Sequence, residues 1–120
     1  MCATGRAMTV TIYHNPKCQT SRNTLELIRA RGIEPEIIEY LKTPLGRHKL
    51  QHLVAKMGVP VREVVRWKEP LAKELDLEHV DDDTLLEAMA THPILMNRPI
   101  VVTKKGAKLC RPSETVAEVL

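Results

Sequence analysis

The sequence predicts an α/β fold: a βαβ unit, a helical insertion and a closing ββα segment, built on a mixed four-stranded sheet. Three observations predict it. Residues 9–41 read as strand, helix and strand in succession, and a unit of that kind makes its two strands parallel with a right-handed crossover. Residues 43–91 carry apolar stripes at helical spacing, the mark of helices with one buried face. Residues 100–110 return to strand pattern around a tight turn, which reads as an antiparallel hairpin.

Each element follows from local chemistry. Thr9-Val10-Thr11-Ile12-Tyr13 alternates polar and apolar residues, a strand signal, and His14-Asn15-Pro16-Lys17 breaks it. Thr20 or Ser21 is the expected cap of a helix through about Arg31, with Leu25 and Ile28 on one face and Gly32 as its stop. Glu36–Leu41 is the second expected strand. Thr43-Pro44 opens the insertion, where Leu50, Leu53, Val54 and Met57 form an i, i+3, i+4, i+7 stripe ended by Gly58-Val59-Pro60. Val61, Val64 and Val65 suggest a short helix, and Pro70 starts a further turn carrying Leu71 and Leu75. Asp81-Asp82-Asp83 places negative charge at the start of a helix through about Thr91, with Leu85, Leu86 and Met89 inward. Ile100–Thr103 reads as a buried strand, Lys104-Lys105-Gly106 as a turn, and Ala107–Cys110 as its partner strand. Ser113 is the expected cap of a last helix with Val116, Val119 and Leu120 on one face. One domain over 9–120 is expected, after a flexible extension at 1–8 in which Met8 is an alternative start.

Composition narrows the function. A chain of 120 residues buries roughly two thirds of its unfolded surface and needs no disulfide or metal to fold. There is no apolar run of about 18 residues, so no membrane span is expected. Trp67, Tyr13 and Tyr40 are the only aromatics besides histidine, and there is no Phe. Base-stacking nucleic-acid binding loses ground accordingly. The net charge is +3, from 18 basic and 15 acidic residues scattered along the chain, which suits a small anion better than a polynucleotide. Met1–Ala7 is too short and polar for a signal-peptide core, and a cytoplasmic location is expected. No long apolar face demands a dimer, so a monomer is expected. The cysteines are Cys2, Cys18 and Cys110, an odd number without a CxxC pair. That encodes neither a disulfide framework nor a zinc finger.

Cys18 has the most informative context, between the first strand and the first helix. Unpaired N–H groups and the helix dipole favour thiolate there, and cysteines so placed have pKa values depressed from about 8.5 toward roughly 3.5–7.5. Ser21 is placed to donate its hydroxyl to the sulfur, and Arg22 and His14 to add positive charge. The spacing is C-x-x-S, so a redox partner thiol comes from another molecule. Arg66, Arg98 and Arg111 each offer a fork that matches a tetrahedral oxyanion. His48 and His52 lie at i, i+4 without a carboxylate or Cys beside them, so no metal site is expected. Cys110 reads as core or half-buried and Trp67 as packing.

Three segments resemble a known family. His14–Leu25 resembles the nucleophile loop of the glutathione/glutaredoxin-dependent arsenate reductases, His92–Val102 their second motif and Leu109–Glu114 their third. The resemblance implies a thioredoxin-like fold, with Cys18 as nucleophile and Arg66, Arg98 and Arg111 as oxyanion-binding residues. It implies that His14 and Ser21 help keep the thiolate and that the bond before Pro99 is cis. It implies arsenate as substrate, glutathione as co-substrate, glutaredoxin as partner and no bound cofactor. Two other readings stand beside it. One is a thioredoxin-like thiol oxidoreductase of unknown substrate. The other is a redox-sensing transcription regulator that binds RNA polymerase, against which Ser21 argues, since such regulators usually carry C-x-x-C.

Overall fold

The structure is a computed structural model of the chain and describes residues 9–120. The expected extension at 1–8, with Cys2 and Met8, lies outside the described residues. Contacts divide the chain into two compact units, one holding the residues up to Glu39 with Arg98–Leu120, the other Tyr40–Asn97. Among the described residues no helix is long and apolar enough to cross a membrane.

The first unit contains the sheet. Its strands are β1 (Thr11–His14), β2 (Glu36–Glu39), β3 (Ile100–Thr103) and β4 (Gly106–Leu109), in the order β2-β1-β3-β4. β1 and β2 are parallel, with Ile12 opposite Ile37. β1 and β3 are antiparallel, with Ile12 opposite Val101, and β3 and β4 form the antiparallel hairpin. The mixed four-stranded sheet of the thioredoxin-like fold is therefore present. Several boundaries differ from expectation: β1 starts at Thr11 rather than Thr9, and β4 covers Gly106–Leu109 rather than Ala107–Cys110. β1 runs on to His14 because His14 still pairs with Glu39. β2 stops there, since β1 offers no residue beyond His14 for Tyr40 and Leu41 to pair with. The turn between β3 and β4 is Lys104-Lys105 alone, and Gly106, at φ +144°, already pairs with Thr103.

Helix α1 (Gln19–Ala30) starts earlier than expected: its N-cap is Cys18, not Thr20 or Ser21. Ser21 is unavailable as a cap because its hydroxyl is engaged by His14 and the Asn15 N–H. The far end is as expected, with Gly32 at φ +77° past the last turn. Ser21, Thr24 and Ile28 form its buried face. Leu25 and Ile33 lean on a core of Val10, Ile12, Ile28, Val101, Cys110, Val116, Val119 and Leu120. The last helix is a 3-10 helix over Ser113–Glu118, capped by Pro112 rather than Ser113. Pro112 is extended (φ −69°, ψ 164°) and its carbonyl accepts the Thr115 N–H, a three-residue step that sets the tighter helix type. Val116, Val119 and Leu120 are buried as expected.

The second unit is helical. α2 (Arg47–Met57) buries Leu50, Leu53 and Val54, with Met57 half-buried, and ends on Gly58 at φ +70°. A 3-10 helix over Val61–Val64 buries Val64, while Val61 stays half-exposed. The buried Val65 bridges Met96. α3 (Pro70–Glu74) begins on a proline as expected. It buries Ala72, and the chain then buries Leu77, whereas Leu75 is exposed. α4 (Asp82–Thr91) is capped by the Asp81 carboxylate, which accepts the Thr84 N–H at 2.9 Å. Its Leu85, Leu86 and Met89 are buried. Trp67 departs from the packing role: it is 41% exposed. Its indole N–H donates to the Arg62 carbonyl, and the Arg62 guanidinium lies 5.7 Å from the ring centroid.

Candidate active site

The end of β1 carries His14 into a tight turn. The Cys18 N–H donates to the Asn15 carbonyl at 3.0 Å, and the Lys17 N–H donates to Asn15 Oδ1 at 3.0 Å. The turn leaves Cys18 half-buried at the N-cap of α1, in extended backbone (φ −95°, ψ 123°). An N-cap residue sits where the helix N–H groups lack internal partners. One of these, the Ser21 N–H, helps to hold the Cys18 pKa down.

The hairpin brings two cations to the same sulfur. Arg98 precedes β3 and Arg111 follows β4, and the Cys110 N–H bonded to the Pro99 carbonyl at 2.9 Å holds those two ends together. Arg111 Nη1 lies 3.7 Å from Cys18 Sγ and also donates to the Arg98 carbonyl at 2.8 Å. Arg98 is buried, with 8% of its surface exposed, and its guanidinium helps to lower the Cys18 pKa. Both arginine–proline bonds, Arg98–Pro99 and Arg111–Pro112, are cis, where the resemblance implied only the first.

Burial raises the Cys18 pKa, but the Ser21 N–H, the Arg111 and Arg98 hydrogen bonds and the Arg98 charge outweigh it, so the thiol is held below its ordinary range. Three sequence expectations about this field change. Ser21 acts on the Cys18 pKa through its backbone N–H, while its hydroxyl contacts His14 Nδ1 at 2.6 Å and accepts the Asn15 N–H at 3.1 Å. His14 is a poorer source of positive charge than expected: burial, more than the opposing charge of Glu39, lowers its pKa. Arg22 is spent elsewhere, donating to the Pro16 carbonyl at 2.7 Å and to Gln19 Oε1 at 2.6 Å.

The first unit therefore brings together Cys18, His14, Ser21, Arg98 and Arg111. Arg66 belongs to the second unit, just past the Val61–Val64 helix. Its N–H donates to the Leu95 carbonyl at 2.7 Å, and its Nε lies 3.9 Å from Glu69 Oε2. Cys110 is fully buried, and burial pushes its thiol up to about 12. The His48 and His52 rings are 6.2 Å apart on α2. Sequence reasoning passed over Asn15, which is 4% exposed and touches most of the turn. The signal was present, since Asn before Pro starts turns in which its side chain accepts the N–H two residues on. Chemically, the arrangement is a stabilised thiolate beside two fixed guanidinium groups, suited to attack on an oxyanion drawn to the same place.

Fold and site together define a thioredoxin-like thiol protein with a helical insertion and an anion-attracting cysteine. The ArsC family model matches residues 13–119, and the chain belongs to the ArsC family. It is 55% identical over 113 residues to an arsenate reductase of Escherichia coli, covering 92% of this chain and 80% of that one. It is 53% identical over 115 residues to an arsenate reductase of Rhizobium meliloti (strain 1021), covering 94% and 82%. The solved arsenate reductase from Vibrio cholerae superposes with a TM-score of 0.91 at 47% identity, over 94% of this chain and 98% of that one.

Proposed function

We propose that this chain reduces arsenate to arsenite through the Cys18 thiolate, with glutathione and glutaredoxin as reductants. The observation that carries the reading is the convergence of a backbone N–H and two guanidinium groups on one sulfur. Such a field favours the thiolate and draws in the anion it is to attack. Identity above 50% to curated arsenate reductases over most of the chain supports arsenate as that anion.

In this reading Arg98 and Arg111 hold arsenate oxygens, and Arg66 takes a third place on the strength of the family motif alone. The thiolate forms a sulfur–arsenic bond with dihydrogen arsenate, and one arsenate hydroxyl leaves as water, taking the proton of the other hydroxyl. His14 and Ser21 keep the nucleophile loop in shape. A glutathione thiolate then forms a sulfur–sulfur bond with the arsenic-bound sulfur. The electron pair of the broken sulfur–arsenic bond stays on arsenic, which passes from the +5 to the +3 state. Glutaredoxin takes the glutathionyl group by thiol–disulfide exchange and returns Cys18 as thiolate. No step calls for a resident metal, flavin or nucleotide.

The test is arsenate-dependent NADPH oxidation in the presence of glutathione, glutaredoxin and glutathione reductase. The wild-type chain should turn over and Cys18→Ser should not, while keeping its fold by circular dichroism. Arsenate reduction retained by the serine variant would overturn the assignment of the nucleophile. Turnover that persists without glutaredoxin would overturn the choice of reductant.

A further inference from the structure

We infer that Asn15 is a positioning residue for Cys18: it fixes the turn that presents the sulfur, before any ligand arrives. The inference rests on the reading of Cys18 as the reactive thiolate. Three hydrogen bonds of the turn run through Asn15 itself. The Asn15 N–H donates to Ser21 Oγ at 3.1 Å, its carbonyl accepts the Cys18 N–H at 3.0 Å, and its Oδ1 accepts the Lys17 N–H at 3.0 Å. The Pro16 carbonyl is taken from outside by Arg22 Nη1 at 2.7 Å, and the Cys18 carbonyl accepts the Arg22 N–H at 3.0 Å.

The two straps differ in kind. Arg22 and its partner Gln19 are exposed, and water can replace exposed hydrogen bonds at little cost. Asn15 is 4% exposed, so water reaches its amide poorly, and losing the side chain leaves the Lys17 N–H without that acceptor. The turn holds Cys18 in extended backbone at the cap, with the sulfur 3.7 Å from Arg111 Nη1 and within the field of Arg98 and the helix N-terminus. Freed of its inner strap, the turn samples other conformations, and the sulfur loses part of that field. Asn15 acts on the reaction only through Cys18, touching neither substrate nor sulfur in this account.

The experiment follows alkylation of Cys18 by iodoacetamide against pH, without arsenate, in a Cys2→Ser background. Asn15→Ala should move the profile to higher pH and slow alkylation near neutrality by roughly three- to tenfold, the scale of one hydrogen bond. Asn15→Ser, which keeps a weaker acceptor within reach of the Lys17 N–H, should recover part of the loss. Val116→Ala serves as a control that loosens the core away from the turn. A profile for Asn15→Ala that overlays the parent, or an equal shift in Val116→Ala, would overturn the inference. Should Asn15→Ala not fold, amide hydrogen exchange on the unaltered protein decides: a Lys17 N–H that exchanges as fast as in a free peptide overturns it, and slow exchange supports it. Because no arsenate enters, a failure here is distinct from retained arsenate turnover in Cys18→Ser.

Discussion

At the scale of single residues, two arginines beside one sulfur are asked to do different amounts. Both lower the Cys18 pKa, but Arg98 is 8% exposed and acts through its charge as well, whereas Arg111, whose Nη1 lies 3.7 Å from the sulfur, is exposed to solvent. A cation screened by water contributes less than a buried one. Arg98→Ala should therefore lower kcat/KM for arsenate by roughly 10- to 100-fold, the scale of a charge-assisted hydrogen bond lost from a partly desolvated site. Arg111→Ala should lower it less, and its thiol pH profile should move up less. Steady-state kinetics on the two variants decide the order, and an exposed Arg111 that matters more than Arg98 would contradict it. Arg66→Ala belongs in the same assay as a test of the place the family motif proposes for it: a raised KM with unchanged Cys18 alkylation is the expected outcome.

At the scale of elements, the insertion gives the cleanest test of packing. Leu53 on α2 is 6% exposed and Leu85 on α4 is fully buried. Truncation of either to Ala should cost about 2–5 kcal/mol in urea unfolding, since each leaves a cavity that its neighbours fill only in part. A loss under about 1 kcal/mol would mean these stripes do not form the core of the second unit. Both residues were readable from sequence because apolar spacing at helical period reports burial directly. The strands were legible by alternation, yet their ends were not: β2 stops at Glu39 because of what β1 lacks opposite it, a fact of pairing. The cap of α1 was misassigned for a related reason. Ser21 has the chemistry of a cap, but tertiary contacts with His14 and the Asn15 N–H use its hydroxyl. His14 was read as a cation because sequence does not show burial. The cysteine was singled out because turn signals and helix termini place chemistry locally; the hairpin placed two arginines at strand ends, but their role was read only from the family resemblance, and the network through Asn15 depends on which atoms meet.

For the molecule as a whole, four buried or half-buried groups shape stability against pH, and their signs differ. The His14 pKa lies below its ordinary 6.5, first because of burial, so the unfolded chain binds the proton more tightly. Stability rises with pH through that region. Cys18 lies below its ordinary 9.0. The folded thiolate is formed while the unfolded thiol still holds its proton, and stability rises until pH passes about 9. Cys110 is the reverse. It stays a thiol up to about 12 when folded, against 9.0 for the ordinary group. Above about pH 9 the unfolded chain loses a proton that the folded chain keeps, so stability falls, by at most about 4 kcal/mol over three pH units. Tyr13, raised first by burial and then by the charge of Glu36, pulls in the same direction above its ordinary 10.0. The expected curve therefore climbs toward pH 9 and descends beyond it. Urea midpoints measured from about pH 8 to about pH 11 test this in the wild type, Cys110→Ala and Cys18→Ser. Cys110→Ala should begin lower, having lost a buried side chain, and descend less steeply, with Tyr13 alone left to bend it. Cys18→Ser should lose the rise below pH 9 and keep the descent above it. Parallel curves for wild type and Cys110→Ala would mean that the Cys110 thiol is not kept protonated by burial in the folded chain.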